Sequence, residues 1–277
     1  MKKINVLSLF DGMSCGQLAI SQLGFEYNYF ASEIDKHAMQ VTQSNFPNTT
    51  QLGSVEHWQL WDIDFASIDL LIGGSPCQGF SFAGKQLNFE DPRSKLFFVY
   101  VDVLNYIRSI NPNVKFLLEN VKMKKEYEAV ISEHLGVLPI EINSNLVSAQ
   151  NRKRLYWTNI EGVTQPEDRG IYLKDIITDG HVEKSKAWTM LESYNRFPKA
   201  TESAKGRYKR CMMPIVFSTE ACDFNKGWRP INQIERERLQ TVPDNYTREV
   251  SESVALGLLG NGWTVEVIKH ILKNLKA

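Results

Sequence analysis

Apolar and polar positions along this chain fall into short blocks that switch repeatedly between a strand period and a helix period. The run INVLSLF (4–10) is β-branched and apolar and reads as a buried strand. A glycine-containing turn follows, and then QLAISQLGF with helical spacing. YNYFASEI (27–34) reads as a second strand ending in an acid, and DKHAMQVTQSNF as a second helix. IDLLIGG (68–74) is a continuous buried strand. SKLFFVYVDVLNYIRSI (94–110) is a helix apolar on more than one face, stopped by Pro112, and VKFLLENV (114–121) is another strand with a polar end. Strands alternating with helices predict an α/β fold, a mostly parallel sheet with helices on both faces. In such sheets ligands bind beyond the carboxyl ends of the strands, where each polar cluster falls.

After residue 160 the pattern decays. Residues 161–228 mix Gly, Pro, Lys and scattered aromatics without periodicity, too long a stretch for an idle loop, and predict a small functional lobe. Helical order returns in NQIERERLQ and in ESVALGLLGNGWTVEVIKHILKNL. The expected organisation is a catalytic and cofactor-binding domain over 1–164, an irregular lobe over 165–228, and C-terminal helices over 229–277 that complete the first domain.

Composition narrows the functional classes. With 277 residues, 43% of them hydrophobic, the chain can bury a sizeable core. No stretch approaches the roughly 20 apolar residues that span a bilayer, so no membrane partner is expected. The two initial lysines precede an apolar run that meets Asp11 at once, which fits a first strand better than a leader. Cys15, Cys77, Cys211 and Cys222 form no C-x-x-C pair and have no histidine at zinc-ligand spacing. Free thiols in a cytoplasmic protein, without a metal, are the expectation. Net charge is zero, but its distribution is uneven: residues 1–145 carry 11 Lys+Arg against 16 Asp+Glu, and residues 146–230 carry 15 against 10. A basic segment is joined to an acidic body, as a solvated face or as a surface for a polyanion.

Two ends of the predicted sheet carry candidate chemistry. FDGMSCG (10–16) follows the first strand, and its glycines let the backbone approach a ligand. Glu33 ends the second strand, 21 positions after Gly12, where an acid can accept ribose hydroxyls. The turn lacks the G-x-G-x-x-G pattern and a P-loop lysine, so a nucleoside cofactor without pyrophosphate, such as S-adenosylmethionine, fits better than NAD. At the other end, Cys77 in GGSPCQGF stands just past a buried strand. Glu119 ends the neighbouring strand in LLENV, and AQNRKRLYW places Arg152 and Arg154 two apart. On an extended segment that spacing points both guanidinium groups the same way, forked donors suited to phosphate or carbonyl oxygens.

Together these motifs resemble the C5-cytosine DNA methyltransferase family over nearly the whole chain and in the family's order. FDGMSCG resembles the first motif, ASEID the second, GSPCQGFSFAGKQ the catalytic fourth, ENV the sixth and QNRKR the Q-x-R-x-R eighth. RPINQIERERLQTVPDNY resembles the ninth and GNGWTVEVI the tenth, which completes the cofactor site. Phe-Asp-Gly in place of the commoner Phe-Ala-Gly, with RSKLFF and LLGNGWTVEVI, is similar to the animal de novo branch. Ser54 stands where many members carry an acid facing the adenine amine.

The resemblance implies a Rossmann-like, S-adenosylmethionine-dependent methyltransferase with a small target-recognition lobe. It implies cofactor contacts at Phe10, Asp11, Gly12, Met13, Ser14, Cys15, Glu33, Ile34, Ser54, Val55, Ser75, Asn261, Gly262 and Trp263, with S-adenosylhomocysteine as product. Cys77 would add to C6 of a flipped-out cytosine, with Glu119 at N3 and the exocyclic amine, Arg154 at O2, and Arg152 supporting the loop and the phosphate backbone. Double-stranded DNA would meet Gln78, Lys85 and Arg93 on a mobile flap, and Lys184, Lys186, Arg207, Lys209 and Arg210 on the lobe. Trp188 and Tyr194 are expected in the lobe's core. A monomer is the expected state, with a cognate restriction endonuclease as an accompanying activity. Transfer-RNA methylation is the rival enzymatic reading, although the Cys-Phe-Thr of that branch does not occur here. A DNA-binding relative without activity would be expected to lose Pro-Cys or Glu-Asn-Val, and both are present.

Overall fold

The computed structural model describes residues 3–76, 95–190 and 200–275. Its first elements are β1 (Ile4–Leu9), α1 (Cys15–Gln22), β2 (Tyr27–Ser32), α2 (Lys36–Asn45), β3 (Thr50–Gln51), β4 (Leu70–Gly73), α3 (Lys95–Ile110) and β5 (Lys115–Val121). Then come α4 (Lys125–Leu135), β6 (Ile140–Asn143), β7 (Gln150–Asn151), β8 (Lys153–Thr158), β9 (Ala187–Trp188), α5 (Thr201–Lys209), β10 (Ile215–Phe217) and β11 (Trp228–Pro230). Three helices end the chain: α6 (Gln233–Leu239), α7 (Glu252–Asn261) and α8 (Val265–Leu272). Two compact units result, one of Met1–Ile142, Lys153–Gln165 and Lys269–Ala277, the other of Asn143–Arg152 and Pro166–Ile268. Among the described residues no helix is long and apolar enough to cross a membrane.

The first unit holds a seven-stranded sheet in the order β3-β2-β1-β4-β5-β8-β6. β1 pairs in parallel with both β2 and β4, and β4 in parallel with β5, whereas β8 runs antiparallel to β5. The chain therefore winds outward from β1 in one direction through β2 and β3, then restarts at β4 and winds the other way. That reversal opens a crevice at the carboxyl ends of β1 and β4, where Leu9 and Gly73 are register partners. The central strands are mainly apolar: Leu7 and Leu9 of β1, Leu71 of β4, and Phe116 and Leu118 of β5 pack with Phe97, Tyr100, Leu104 and Trp157. A Cβ on Gly73 would lie 3.0 Å from the Leu9 carbonyl and 3.0 Å from the Tyr100 ring, so a side chain there would need its neighbours to give way by a few tenths of an ångström.

The second unit is built from short pieces. Ala149, Leu173, Ile176, Ala187, Val216, Ile231 and Leu239 form one small core, and Tyr208, Met213, Ile215 and Phe217 another. Strands of two or three residues supply little cross-strand bonding, and polar clamps add to it. Asn232 and Glu235 form a reciprocal cap at the start of α6, and Glu235 also accepts from Thr178 and Arg229. Glu237, fully buried, accepts from the backbone N–H groups of Asn245 and Thr247 at 2.6 and 2.8 Å. The expected continuous helical stretch after residue 252 divides at Gly262 into α7 and α8.

Candidate active site

The turn after β1 is an unusual piece of backbone. Phe10, Gly12 and Ser14 all adopt left-handed φ values, 58°, 59° and 59°. Only glycine takes that conformation without cost, so the other two are held there by their surroundings. The Asp11 carboxylate lies at the centre of what holds them. It accepts from Ser8 Oγ at 2.6 Å, from Tyr29 Oη at 2.7 Å and from Ser14 Oγ. Burial pushes this carboxyl up to about 6, against the pull of the three hydroxyls. Asp11 thus turns inward rather than toward a ligand.

Met13, Ser14 and Cys15 are also buried. Gly12 donates its N–H to Glu33 Oε2 at 2.7 Å, and Glu33 Oε1 accepts from the backbone of Ile34 and Asp35 at 2.7 and 2.9 Å. The acid that ends β2 thereby joins the two turns, and a carboxylate has about four acceptor positions, so room for a sugar hydroxyl remains. Ile34 leaves 72% of its surface exposed beside it, a flat apolar neighbour for a base. Ser54 caps the following short 3₁₀ turn through Glu56 N–H at 3.3 Å. Val55 is packed into the hydrophobic core. An acid, an exposed apolar side chain and a glycine turn at the switch point suit a nucleoside.

At the neighbouring strands, Gly73 pairs with Leu118, which brings Glu119 alongside the turn Gly74-Ser75-Pro76. Asn120 donates to Ser75 Oγ at 3.2 Å and to the Ser75 carbonyl at 3.3 Å, fixing that turn against β5. Its role was missed in sequence, where the Glu-Asn-Val triplet was its only mark. Antiparallel pairing of β5 with β8 sets Val121 opposite Arg154. The Arg154 Nε group reaches Glu119 Oε1 at 2.9 Å, and both side chains are nearly buried. A carboxylate and a guanidinium thus share one pocket wall at the end of the strand next to β4. Cys77, Gln78, Lys85 and Arg93 lie outside the described residues.

Arg152 departs from expectation. It does not project with Arg154, because β7 ends at Asn151 and β8 begins at Lys153, and the two strands pair with different partners. The Arg152 guanidinium is buried in the second unit. It donates to the carbonyls of Met190 at 3.1 Å, Gly260 at 3.1 Å and Gly262 at 2.9 Å. Gln150 works beside it, accepting from Met190 N–H at 2.8 Å.

The lobe residues also separate by environment. Lys186 donates to the carbonyls of Asn145 at 2.7 Å, Ser148 at 3.0 Å and Ile171, so its three protons are spent on the fold and it is not a phosphate contact. Lys184 lies 3.3 Å from Cys211 Sγ and over the Tyr208 ring. Lys209 and Arg210 are exposed at the end of α5, with Arg207 half-buried one turn earlier. Trp188 is 46% exposed rather than a core residue, and Tyr194 lies outside the described residues. In the tenth-motif segment, Asn261 is exposed and Gly262 and Trp263 half-buried.

The sequence model of C-5 cytosine-specific DNA methylase matches residues 4–214 and 167–277. The chain is 28% identical to the type II methyltransferase M1.ScrFI of Lactococcus lactis subsp. cremoris over 317 residues, covering 99% of this chain and 78% of that protein. It is 29% identical to the type II methyltransferase M.NlaX of Neisseria lactamica, covering 92% of each. In fold it is similar to the Entamoeba histolytica methyltransferase EhMeth, with a TM-score of 0.75 at 17% identity over 100% of both chains. Motif order, sheet and family match converge, and the chain belongs to the C-5 cytosine-specific DNA methylase family.

Proposed function

We propose that this DNA cytosine-5 methyltransferase uses Cys77 as its nucleophile, Glu119 and Arg154 as its base-holding pair, and S-adenosylmethionine as methyl donor. The observation that carries the reading is the Glu119–Arg154 pair, 2.9 Å apart at the carboxyl end of β5, beside the turn that leads into Pro76-Cys77. Cytosine C5 is too weak a nucleophile to attack a methyl group on sulfonium. Addition of the Cys77 thiolate to C6 forms an S–C6 bond and moves the ring electrons toward N3 and O2, which makes C5 enamine-like. Glu119 holds N3 and the exocyclic amine as that charge develops, and Arg154 faces O2. The bound sulfonium supplies an electrophilic methyl group. C5 would take that methyl and leave S-adenosylhomocysteine, and loss of the C5 proton to water with expulsion of the Cys77 thiolate would restore the aromatic ring as 5-methylcytosine. The base must leave the stack to reach this wall.

Glu33, Ile34 and the Gly12 turn would hold the adenosine moiety, and Ser54 and Ser75 would border it. We assign residues 165–228 to target recognition, with exposed Lys209 and Arg210 and half-buried Arg207 as phosphate contacts. Double-stranded DNA is the partner, and the enzyme acts in the cytoplasm as a monomer. The type II relatives favour a cognate restriction endonuclease working beside it.

Mass spectrometry of complexes with duplexes containing 5-fluorocytosine, with the cofactor present, tests this reading. Fluorine cannot leave C5 as a cation, so a covalent adduct is expected for wild type and none for Cys77→Ala. An adduct with RNA alone would move the substrate class, and an adduct that survives Cys77→Ala would remove the assigned nucleophile.

A further inference from the structure

Beneath the glycine turn lies a closed set of polar groups that the reaction itself does not use. Ser8 ends β1, Tyr29 is on β2 and Thr42 on α2, and all three point at the same four-residue segment. Ser8 and Tyr29 donate to one Asp11 oxygen and Ser14 to the other. Ser14 Oγ also lies 3.0 Å from Thr42 Oγ1, which reaches the Gly12 carbonyl at 3.4 Å. Asp11 N–H donates to the Ser32 carbonyl at 3.1 Å, and Ser14 N–H to the Asp11 carbonyl at 3.2 Å. The side chain that converges all of this is Asp11, and the two residues it brackets, Phe10 and Ser14, are the strained left-handed ones.

We infer that Asp11 is a positioning residue for the cofactor: its carboxylate touches no ligand atom but holds the turn in the one conformation in which the Gly12 N–H anchors Glu33 for the nucleoside. This rests on reading the turn as the S-adenosylmethionine site. A residue with two rigidly held oxygens and three hydroxyl donors from separate elements restrains the turn in a way no single backbone bond can. Released from Asp11, Phe10 and Ser14 relax to ordinary φ values, the competent conformation becomes a minority, and affinity falls by that fraction.

The test is equilibrium binding of S-adenosylhomocysteine and of 5′-methylthioadenosine, which lacks the amino-acid moiety, to wild type, Asp11→Ala, Asp11→Asn and Glu33→Ala. Asp11→Ala should weaken both ligands by the same factor, about 10- to 100-fold. Asp11→Asn, whose amide can still bond to the hydroxyls, should stay within about threefold of wild type. Steady-state kinetics should show the loss in KM for the cofactor, with kcat at saturation nearly unchanged. A loss for S-adenosylhomocysteine alone would mean that Asp11 pairs directly with the ligand's ammonium, and would overturn the proposal. Unchanged binding in Asp11→Ala would overturn it as well. If Glu33→Ala also binds both ligands like wild type, the turn is not the cofactor site and the underlying reading fails instead. Tyr29→Phe removes one donor and leaves the acid in place, so it should give a small graded loss even if Asp11→Ala folds poorly.

Discussion

Replacing Arg152 by alanine should damage the fold more than the chemistry. Among the described residues its guanidinium donates to the carbonyls of Met190, Gly260 and Gly262, the last two at the end of α7. The last carbonyls of a helix have no partner within it, and a buried cation there satisfies both the lone pairs and the helix dipole. Gly262 would keep a second donor, since Gln240 Nε2 reaches its carbonyl at 3.1 Å. The Met190 and Gly260 carbonyls would be left in a site where Arg152 itself is 3% exposed. Two stranded carbonyls at about 1–2 kcal/mol each, plus about 1 kcal/mol for the bond to a group that keeps another partner, amount to about 3–5 kcal/mol. For a chain of this size that is a fall in Tm of about 6–10 °C. Arg152→Lys keeps the charge but not the fork, and should lose roughly half as much. Scanning calorimetry of the three proteins decides the matter, with 5-fluorocytosine adduct formation measured well below the melting range. A Tm within about 2 °C of wild type, together with loss of the adduct, would refute the structural role and return Arg152 to the substrate.

Two further predictions follow from charges placed by the fold. Lys186→Met should lower Tm yet leave the salt dependence of DNA binding unaltered, whereas Lys209→Ser with Arg210→Ser should leave Tm alone and reduce the log–log salt slope by about 2; binding isotherms at several salt concentrations would expose the opposite pattern. Asp11 ionises near 6 when folded against an ordinary 3.8, so the stability it lends is fully present below about pH 4 and is lost as pH rises through about 6. The gap in unfolding free energy between wild type and Asp11→Asn should therefore shift against wild type by roughly 3 kcal/mol at most across that window. Denaturation at pH 5 and pH 8 captures about half of that shift, and a gap independent of pH would contradict the enclosed carboxylate.

The sheet was largely legible because its strands obey a strong local rule. IDLLIGG and VKFLLENV are buried on both faces and bounded by Gly, Pro or polar residues, and the strands Leu70–Gly73 and Lys115–Val121 fall inside them. Glu33 follows β2 and Glu119 lies near the end of β5, at the carboxyl ends where ligands of such sheets bind. The second unit was not legible in the same way. Strands such as Gln150–Asn151 and Ala187–Trp188 span two residues each, too few to leave a period, and the unit draws on residues 143–152 as well as 166–268.

The basic residues show where reasoning from spacing ceases to hold. Two residues apart means the same face only while the strand is continuous, and the strand breaks at Arg152. Gln150 and Arg152 therefore serve the backbone of the second unit, while Arg154 continues along β8 to Glu119. The same physics separates Lys186 from Lys209. An ammonium beside three open carbonyls is drawn inward, because each carbonyl left without a donor would cost more than the exposed charge gains from water. Composition counts both lysines as one kind of charge, and only the set of unsatisfied acceptors around each decides which is scaffold and which is available to a phosphate. Asp11 is the acidic counterpart: beside a glycine turn an acid suggests ligand contact, yet three hydroxyl donors beneath it outcompete solvent and turn it into the anchor of the turn.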